Sequence, residues 1–516
     1  MSVSLAWQSD NFDGLTPHQL GVLYEPIVLE LALQKAGTFP TYPHEKQSTV
    51  KYEAEMPDFE AFQFYVNKLA QVCDNERGGD TISALAILQG SVGPNYVFGF
   101  NSKDTRGLKT TQNFVQALLD LVGKNPDDFQ TAALGKRVLW FILSFNIPRL
   151  KEYLQCLSEA VQECLKSCKR LEEDETAKTR PELFKLPSRL RASCPWRTNF
   201  KLNMSESNTE DKSISDCDTL IKAIVALDQA DVNKMISQRA KDGEMTRSEP
   251  WCKLRHFLGR WLSYRKAALG IVAISERWPD LFLDFEITMV PSGPRFPNPI
   301  LRSDLTSSII MQHIVAEDKT QDTQLLQAAE DLKQMGIDDI IIRDFQLSRR
   351  FRPSLHAEVL VHEYLLKKGW TAVESYWNRW NYIGSSKPTC RLCHYYFDIL
   401  EGDKPGVRSS HNNLYRNWRL PEYHDEESLG IARDVLLSKL AQRLRIDVVE
   451  TLKEKKIRRK ARDSNTYSSF PEALRLNNNS SVSINSSNGD STVSTGPPDE
   501  GAVQLESATG VLNLGD

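Results

Sequence analysis

The stretch SLHAEVLVHEYLLKKGW, Ser354 to Trp370, decides how the rest of the chain is read. Val359, Leu360, Val361, Tyr364, Leu365 and Leu366 form an apolar stripe at helical spacing, and Gly369 offers a C-terminal stop. Pro353 lies just upstream, so the pattern predicts a helix beginning at about Ser354 or Leu355. His356, Ala357 and Glu358 then fall in its first turn, at the positive end of the helix dipole. A histidine and a glutamate placed there can be a metal ligand and a proton carrier. They can equally be a helix cap and a dipole partner.

The segment SSKPTCRLCHYYF begins about thirty residues further on and supplies the second half of the pattern. Cys390 and Cys393 stand three apart at a predicted helix start, so both sulfurs share one face. A helix N-terminus also lowers thiolate pKa and favours metal binding. Two thiolates and one imidazole fill three of the four positions of a tetrahedral zinc. His394 is rotated away by about 100° from Cys393, and His362 points elsewhere from His356 on the first helix. His411 is left open by geometry, so an open, catalytic site is favoured without a closed one being excluded. Glu358, two residues from the ligand, can reach a zinc-bound water without coordinating and carry its proton to a leaving group. The order His-x-Glu followed by Pro and Cys-x-x-Cys is the signature of zinc-dependent base deaminases.

On these residues the chain resembles the cytidine-deaminase-like superfamily. The wording RPSLHAEVLVHEYL, YIGSSKPTCRLC and SSHNNLYRNWRLP is similar to the large fungal OTT-type deaminase-like proteins, over roughly Asp280 to Lys453. The resemblance implies zinc bound by His356, Cys390 and Cys393, with Glu358 as the proton shuttle in hydrolytic deamination at C4 of cytosine or C6 of adenine. Thr389 departs from the pattern: it separates Pro388 from Cys390 where many deaminases have the two adjacent.

The chain has 516 residues, 40% hydrophobic and 26% charged, which allows two or more domains of a globular protein. MSVSLAWQSDNFDG has neither the basic start nor the apolar core of a secretory signal, and AALGIVAI (Ala267 to Ile274) is too short to span a bilayer. Nine cysteines form no disulfide framework. The expected setting is therefore a reducing one, cytoplasmic or nuclear, without membrane contact. A net charge of −4 argues against coating nucleic acid through bulk electrostatics, although a local basic groove is compatible with it.

The fold class expected is α/β. A mostly helical region over 1–278, with an irregular excursion at about 174–216, precedes a helix–sheet–helix module over 279–453. A basic segment and disordered tail occupy 454–516. FEITMV (Phe285 to Val290), IIIRDF (Ile340 to Phe345) and NYIGSSK (Asn381 to Lys387) read as strands, and VRSSHNNLYRNW (Val407 to Trp418) as extended. Helices are expected near Thr323 to Met335 and from about Glu426 to Lys453.

Other features have plainer readings. Cys156, Cys164 and Cys168 fit a buried helix face better than a metal site. Trp370, Tyr376, Trp377, Trp380 and Tyr382 can stack bases, but core packing explains them as well. His411 and Trp418 are candidate pocket residues. Thirteen Lys/Arg against seven Asp/Glu between Arg343 and Leu420 suit a polyanionic substrate or partner such as nucleic acid, or a solvated surface. KKIRRKAR (Lys455 to Arg462) is a localisation signal, a nucleic-acid contact or the end of a helix. The rival to an enzyme is a non-catalytic deaminase-fold scaffold with a structural zinc, which a fourth protein ligand would mark.

Overall fold

The computed structural model describes residues 14–40, 56–172, 210–229, 231–240, 245–300, 305–318, 323–402, 404–422 and 427–458. Two helices come first, α1 (Pro17–Ala36) and α2 (Asp58–Cys73). A hairpin of β1 (Ser83–Gln89) and β2 (Pro94–Phe100) follows. Six helices succeed it: α3 (Thr105–Lys124), α4 (Thr131–Phe145), α5 (Ile147–Glu172), α6 (Glu210–Gln229), α7 (Asp231–Arg239) and α8 (Met245–Arg277). Then come β3 (Glu286–Met289), α9 (Ser307–Asp318), α10 (Thr323–Gln334) and α11 (Ile337–Ile341). The last group is α12 (Ala357–Lys368), β4 (Tyr382–Ser385), α13 (Arg391–Ile399), β5 (Gly406–Val407) and α14 (Glu427–Glu454).

The sheet order is β3-β2-β1-β4-β5. β1 pairs antiparallel with both β2 and β4, whereas β2–β3 and β4–β5 are parallel. The two central strands are apolar on both faces, as strands covered by helices on each side must be. Leu85, Ile87, Tyr96, Phe98 and Phe100 belong to a core that includes residues of α2, α3, α4, α5 and α8. Ala84, Ala86, Leu88 and Val97 face a second core with α1, α12, α13 and α14. The expected helix–sheet–helix layering is therefore present, and the sheet draws strands from both sides of position 279.

Glycines set the spacing of these layers. A Cβ on Gly99 of β2 would stand 2.8 Å from Val361 Cγ2 and 3.2 Å from the Ala357 carbonyl oxygen of α12. A Cβ on Gly384 of β4 would stand 2.6 Å from Val66 Cγ1 and 2.9 Å from Asn67 Oδ1 of α2. Both helices approach the sheet this closely because these two positions carry no side chain.

Several local expectations need correction. The hairpin at 83–100 lies inside the region read as helical. IIIRDF is helical, not a strand: α11 runs into a π-turn over Ile342–Gln346. Ile337, Ile341 and Phe345 are buried at steps of four, which is helical spacing. α6 begins at Glu210, so the end of the expected excursion at 216 is helical, and 173–209 lies outside the described residues. The tail from Asp463 onward also lies outside them. VRSSHNNLYRNW holds only β5 and single bridges from Ser410 to Thr389 and from Trp418 to Ser354.

Cys164 and Cys168 are buried on α5, and none of the eight described cysteines is in a disulfide. Trp377 stacks on Phe62 at 5.7 Å, and Trp380 lies 4.9 Å from the same ring and 5.2 Å from Trp278. These two tryptophans join α2 to the end of α8 by packing. In the basic run, Arg458 pairs with Asp447 and Glu450 of α14. Among the described residues no helix is long and apolar enough to cross a membrane.

Candidate metal centre

His356 is the N-cap of α12, so the helix begins two residues later than the sequence pattern suggested. Gly369 ends it in the left-handed region (φ 69°), as expected. The first free amide of the helix, Ala357 N–H, donates to Asn101 Oδ1 at 2.8 Å. Asn101 follows directly on β2, so the hairpin holds the start of the helix that carries His356 and Glu358. Cys390 is likewise the N-cap of α13, and its Sγ accepts the Cys393 amide at 3.4 Å. Both helix starts thus present their amide-rich ends to one point, where negative charge on sulfur is favoured.

The three side chains meet there. His356 Nδ1 lies 3.4 Å from Cys390 Sγ and 3.4 Å from Cys393 Sγ. Their donor atoms form a group, all within 4.8 Å of one another, that could hold a metal ion. A tetrahedral zinc with ordinary Zn–S and Zn–N bonds would separate a nitrogen and a sulfur by about 3.6 Å. The donor set therefore fits such an ion in both chemistry and spacing. Glu358 Oε2 is 4.0 Å from Cys393 Sγ but is not one of the clustered donors.

Electrostatics separate the roles. Burial and the nearby Cys390 push the Glu358 carboxyl up to about 7, although His356, its own amide and the Ser385 hydroxyl work the other way. Burial opposes ionisation of Cys390, yet hydrogen bonds from Cys393 and the charge of His356 hold its thiol well below the usual range. Cys393 moves up, through burial and the charge of Cys390. His356 is opposed by burial but raised by Cys390 and Glu358.

His362 and His394 stay outside the donor group, as their helical rotation requires. His362 is buried with Nδ1 2.7 Å from the Tyr396 hydroxyl, and burial holds it down to about 4. His394 is exposed. His411 is also outside the group: its Nδ1 accepts the Asn413 amide at 3.0 Å. Its ring sits 5.9 Å from Tyr415, whose ring is 6.2 Å from His356, so one ring separates His411 from the donor group. Trp418 is fully buried, near enough to Cys393 for its indole N–H to favour the thiolate, although it makes no hydrogen bond of ordinary geometry. Asn101, Ser385 and Tyr415 were missed in the sequence. Only Ser385 had a usable signal, through its place at the end of a predicted strand that leads to the cysteines.

Helix, strand and cysteine helix thus follow in the order of a deaminase module, with the ligand set at two helix starts. Residues 355–422 match the family model described as OTT_1508-like deaminase, which makes this segment deaminase-like. The matched stretch contains His356, Glu358, Cys390, Cys393, His411 and Trp418. No curated protein and no solved structure matches the chain.

Proposed function

We propose that the chain is a zinc-dependent hydrolytic deaminase acting on an amino-bearing nucleobase. The observation that carries this reading is the buried Glu358, its carboxyl held up to about 7, beside a His-Cys-Cys donor group with no fourth protein donor among the described residues. His356 Nδ1, Cys390 Sγ and Cys393 Sγ would hold the ion. Zinc in that position supplies Lewis-acid activation of water for attack on the ring carbon. Glu358 takes a proton from the water and gives it to the ring nitrogen, then takes the second proton from the newly added hydroxyl as C=O forms and gives it to the amine that leaves as ammonia. Water enters, a C–N bond is replaced by C=O, and ammonia leaves. A carboxyl that titrates near neutrality suits both halves of that task. Ser385 orients Glu358, and Asn101 fixes the turn that carries it.

The test combines elemental analysis with an ammonia-release screen over bases, nucleosides, nucleotides and oligonucleotides. One zinc per chain is expected in wild type and Glu358→Gln, and none in Cys393→Ala. Ammonia release should fall by about 10² or more in Glu358→Gln. Absence of zinc from fresh wild-type protein, or full turnover in Glu358→Gln, overturns the reading.

A further inference from the structure

Most deeply buried cations in this protein have acidic partners. Arg149 pairs with Asp74, Arg391 with Glu30 and Asp447, and Arg419 with Glu422. Lys68 of α2 and Arg260 of α8 break the pattern. They are 8% and 7% exposed, and among the described residues neither has a carboxylate within 4.0 Å. Lys68 Nζ donates to Gln71 Oε1 at 2.9 Å and lies over the Phe64 ring. Arg260 lies over the Tyr153 ring at 5.7 Å, and its buried Nε has no hydrogen-bond partner. An isolated buried charge of this kind is costly unless something neutralises it.

Arg408, directly after β5, is the third member. Its Nη1 donates to the Ser385 carbonyl at 3.1 Å, and it too lacks a carboxylate within 4.0 Å among the described residues. Hydrogen bonds tie the three together. The Ser385 amide donates to Asn67 Oδ1, next to Lys68, and Gln71 donates to Ser263, whose hydroxyl donates to the Arg260 carbonyl. Burial, then Arg408, Lys266 and Arg260, hold the Lys68 ammonium well below the ordinary lysine range. Burial lowers Arg408 to about 10, with Tyr382 and Glu358 opposing and Arg260 adding to the fall. The cations therefore repel one another.

We propose that Lys68, Arg260 and Arg408 form an anion subsite that receives the terminal phosphate of a mononucleotide substrate. The phosphate is read from the unpaired cations. Its attachment to a nucleobase rests on the deaminase reading. A doubly negative phosphomonoester supplies the missing counter-charge. With two of the three cations more than nine-tenths buried, the ligand enters end-on, which a single terminal phosphate can do and a continuous nucleic-acid backbone cannot. Thr389 links the subsite to the candidate metal centre: its hydroxyl donates to the Arg408 carbonyl at 2.9 Å, and it directly precedes Cys390. Two cations of the subsite come from α2 and α8, which gives the N-terminal helices a part in substrate selection.

Thermal melting of the full chain in chloride buffer tests this, with inorganic phosphate, a nucleoside monophosphate, the matching nucleoside or an oligonucleotide added. Phosphate and the monophosphate should raise the wild-type Tm by about 2 °C or more. Lys68→Met and Arg260→Met should melt above wild type without phosphate and lose the response to it. Arg408→Gln should raise KM for the monophosphate about tenfold or more, well beyond any change in KM for the nucleoside. No response to phosphate or monophosphate, or an equal one in all variants, overturns the subsite. A response to the oligonucleotide alone overturns the mononucleotide assignment. A response that Lys68→Met abolishes, without ammonia from any compound, upholds the anion site and sinks the deaminase reading. Ammonia without a phosphate response does the reverse.

Discussion

Gly99→Ala puts the spacing between sheet and metal helix to a direct test. Glycine is ordinarily unfavourable in a strand, so alanine should stabilise by about 0.5–1 kcal/mol if only backbone preference mattered. The structure demands the opposite sign. The new methyl would sit 2.8 Å from Val361 Cγ2, 3.2 Å from the Ala357 carbonyl oxygen and 3.4 Å from Leu360 Cδ2. Carbon atoms in contact settle at about 3.5–4.0 Å, so α12 must retreat by roughly 0.7 Å or more. Val361 is fully buried and β-branched, and the carbonyl belongs to the backbone, so neither yields cheaply. Overpacking of this size costs about 1–3 kcal/mol. The retreat also carries His356 away from the cysteines on α13, so under the proposed function zinc should be released at lower chelator concentration. Urea unfolding and chelator titration measure the two effects. Val361→Ala removes the nearest methyl, so the double variant should be more stable than the sum of the single losses predicts, by about 1 kcal/mol. A Gly99→Ala protein at least as stable as wild type, with unchanged zinc retention, would refute the packing argument.

Three more outcomes are expected. His362 is held at about 4 against an ordinary 6.5, so the unfolded chain takes up its proton first as pH falls. This contribution is complete above pH 6.5, declines through the window and levels off below 4; the difference, 6.5 − 4, corresponds to about 3 kcal/mol. In His362→Gln, the loss of stability between pH 7 and 4.5 should be smaller than in wild type, and parallel urea midpoints at the two pH values would contradict the assignment. Arg391→Met leaves Glu30 buried without its cation and Asp447 with Arg458 alone, and should lower stability by about 3–5 kcal/mol. Adding Glu30→Gln and Asp447→Asn should recover part of that loss in calorimetry, whereas no recovery would show that packing, and not charge, was at stake. Gly384→Ala, whose methyl would meet Val66 Cγ1 at 2.6 Å, should destabilise without releasing zinc, because α2 carries no ligand.

The His-Cys-Cys donor group was legible because each half of it is local. His-Ala-Glu and Cys-x-x-Cys are short motifs at helix starts, and a helix start fixes where such side chains point. What gathers around them comes from far away in sequence and left little trace. The hairpin was missed because SALAILQ (Ser83 to Gln89) is buried on both faces, so the alternation that marks a strand is absent and its alanines suit a helix. The glycines at 90 and 93 were the available clue: the Gly90 amide donates to the Gly93 carbonyl at 3.0 Å and closes the turn. IIIRDF erred the other way. Its run of isoleucines favours a strand by composition, while burial follows a four-residue step. No local pattern could place Lys68 or Arg260 beside Arg408, since sheet pairing and helix packing bring them together.

The pairing of Ala84 with Ser385 also has a consequence for the chain as it is made. The hairpin leaves the ribosome with one edge of β1 open, and the strand that closes that edge follows about 300 residues later, or roughly 15–60 s at ordinary rates of synthesis. During that interval a fully apolar strand edge is available to other chains, which is the usual starting point for aggregation. Production of this protein should therefore depend on slow synthesis, low temperature or chaperone supply, and a truncation ahead of residue 385 should be insoluble even though its helices are intact.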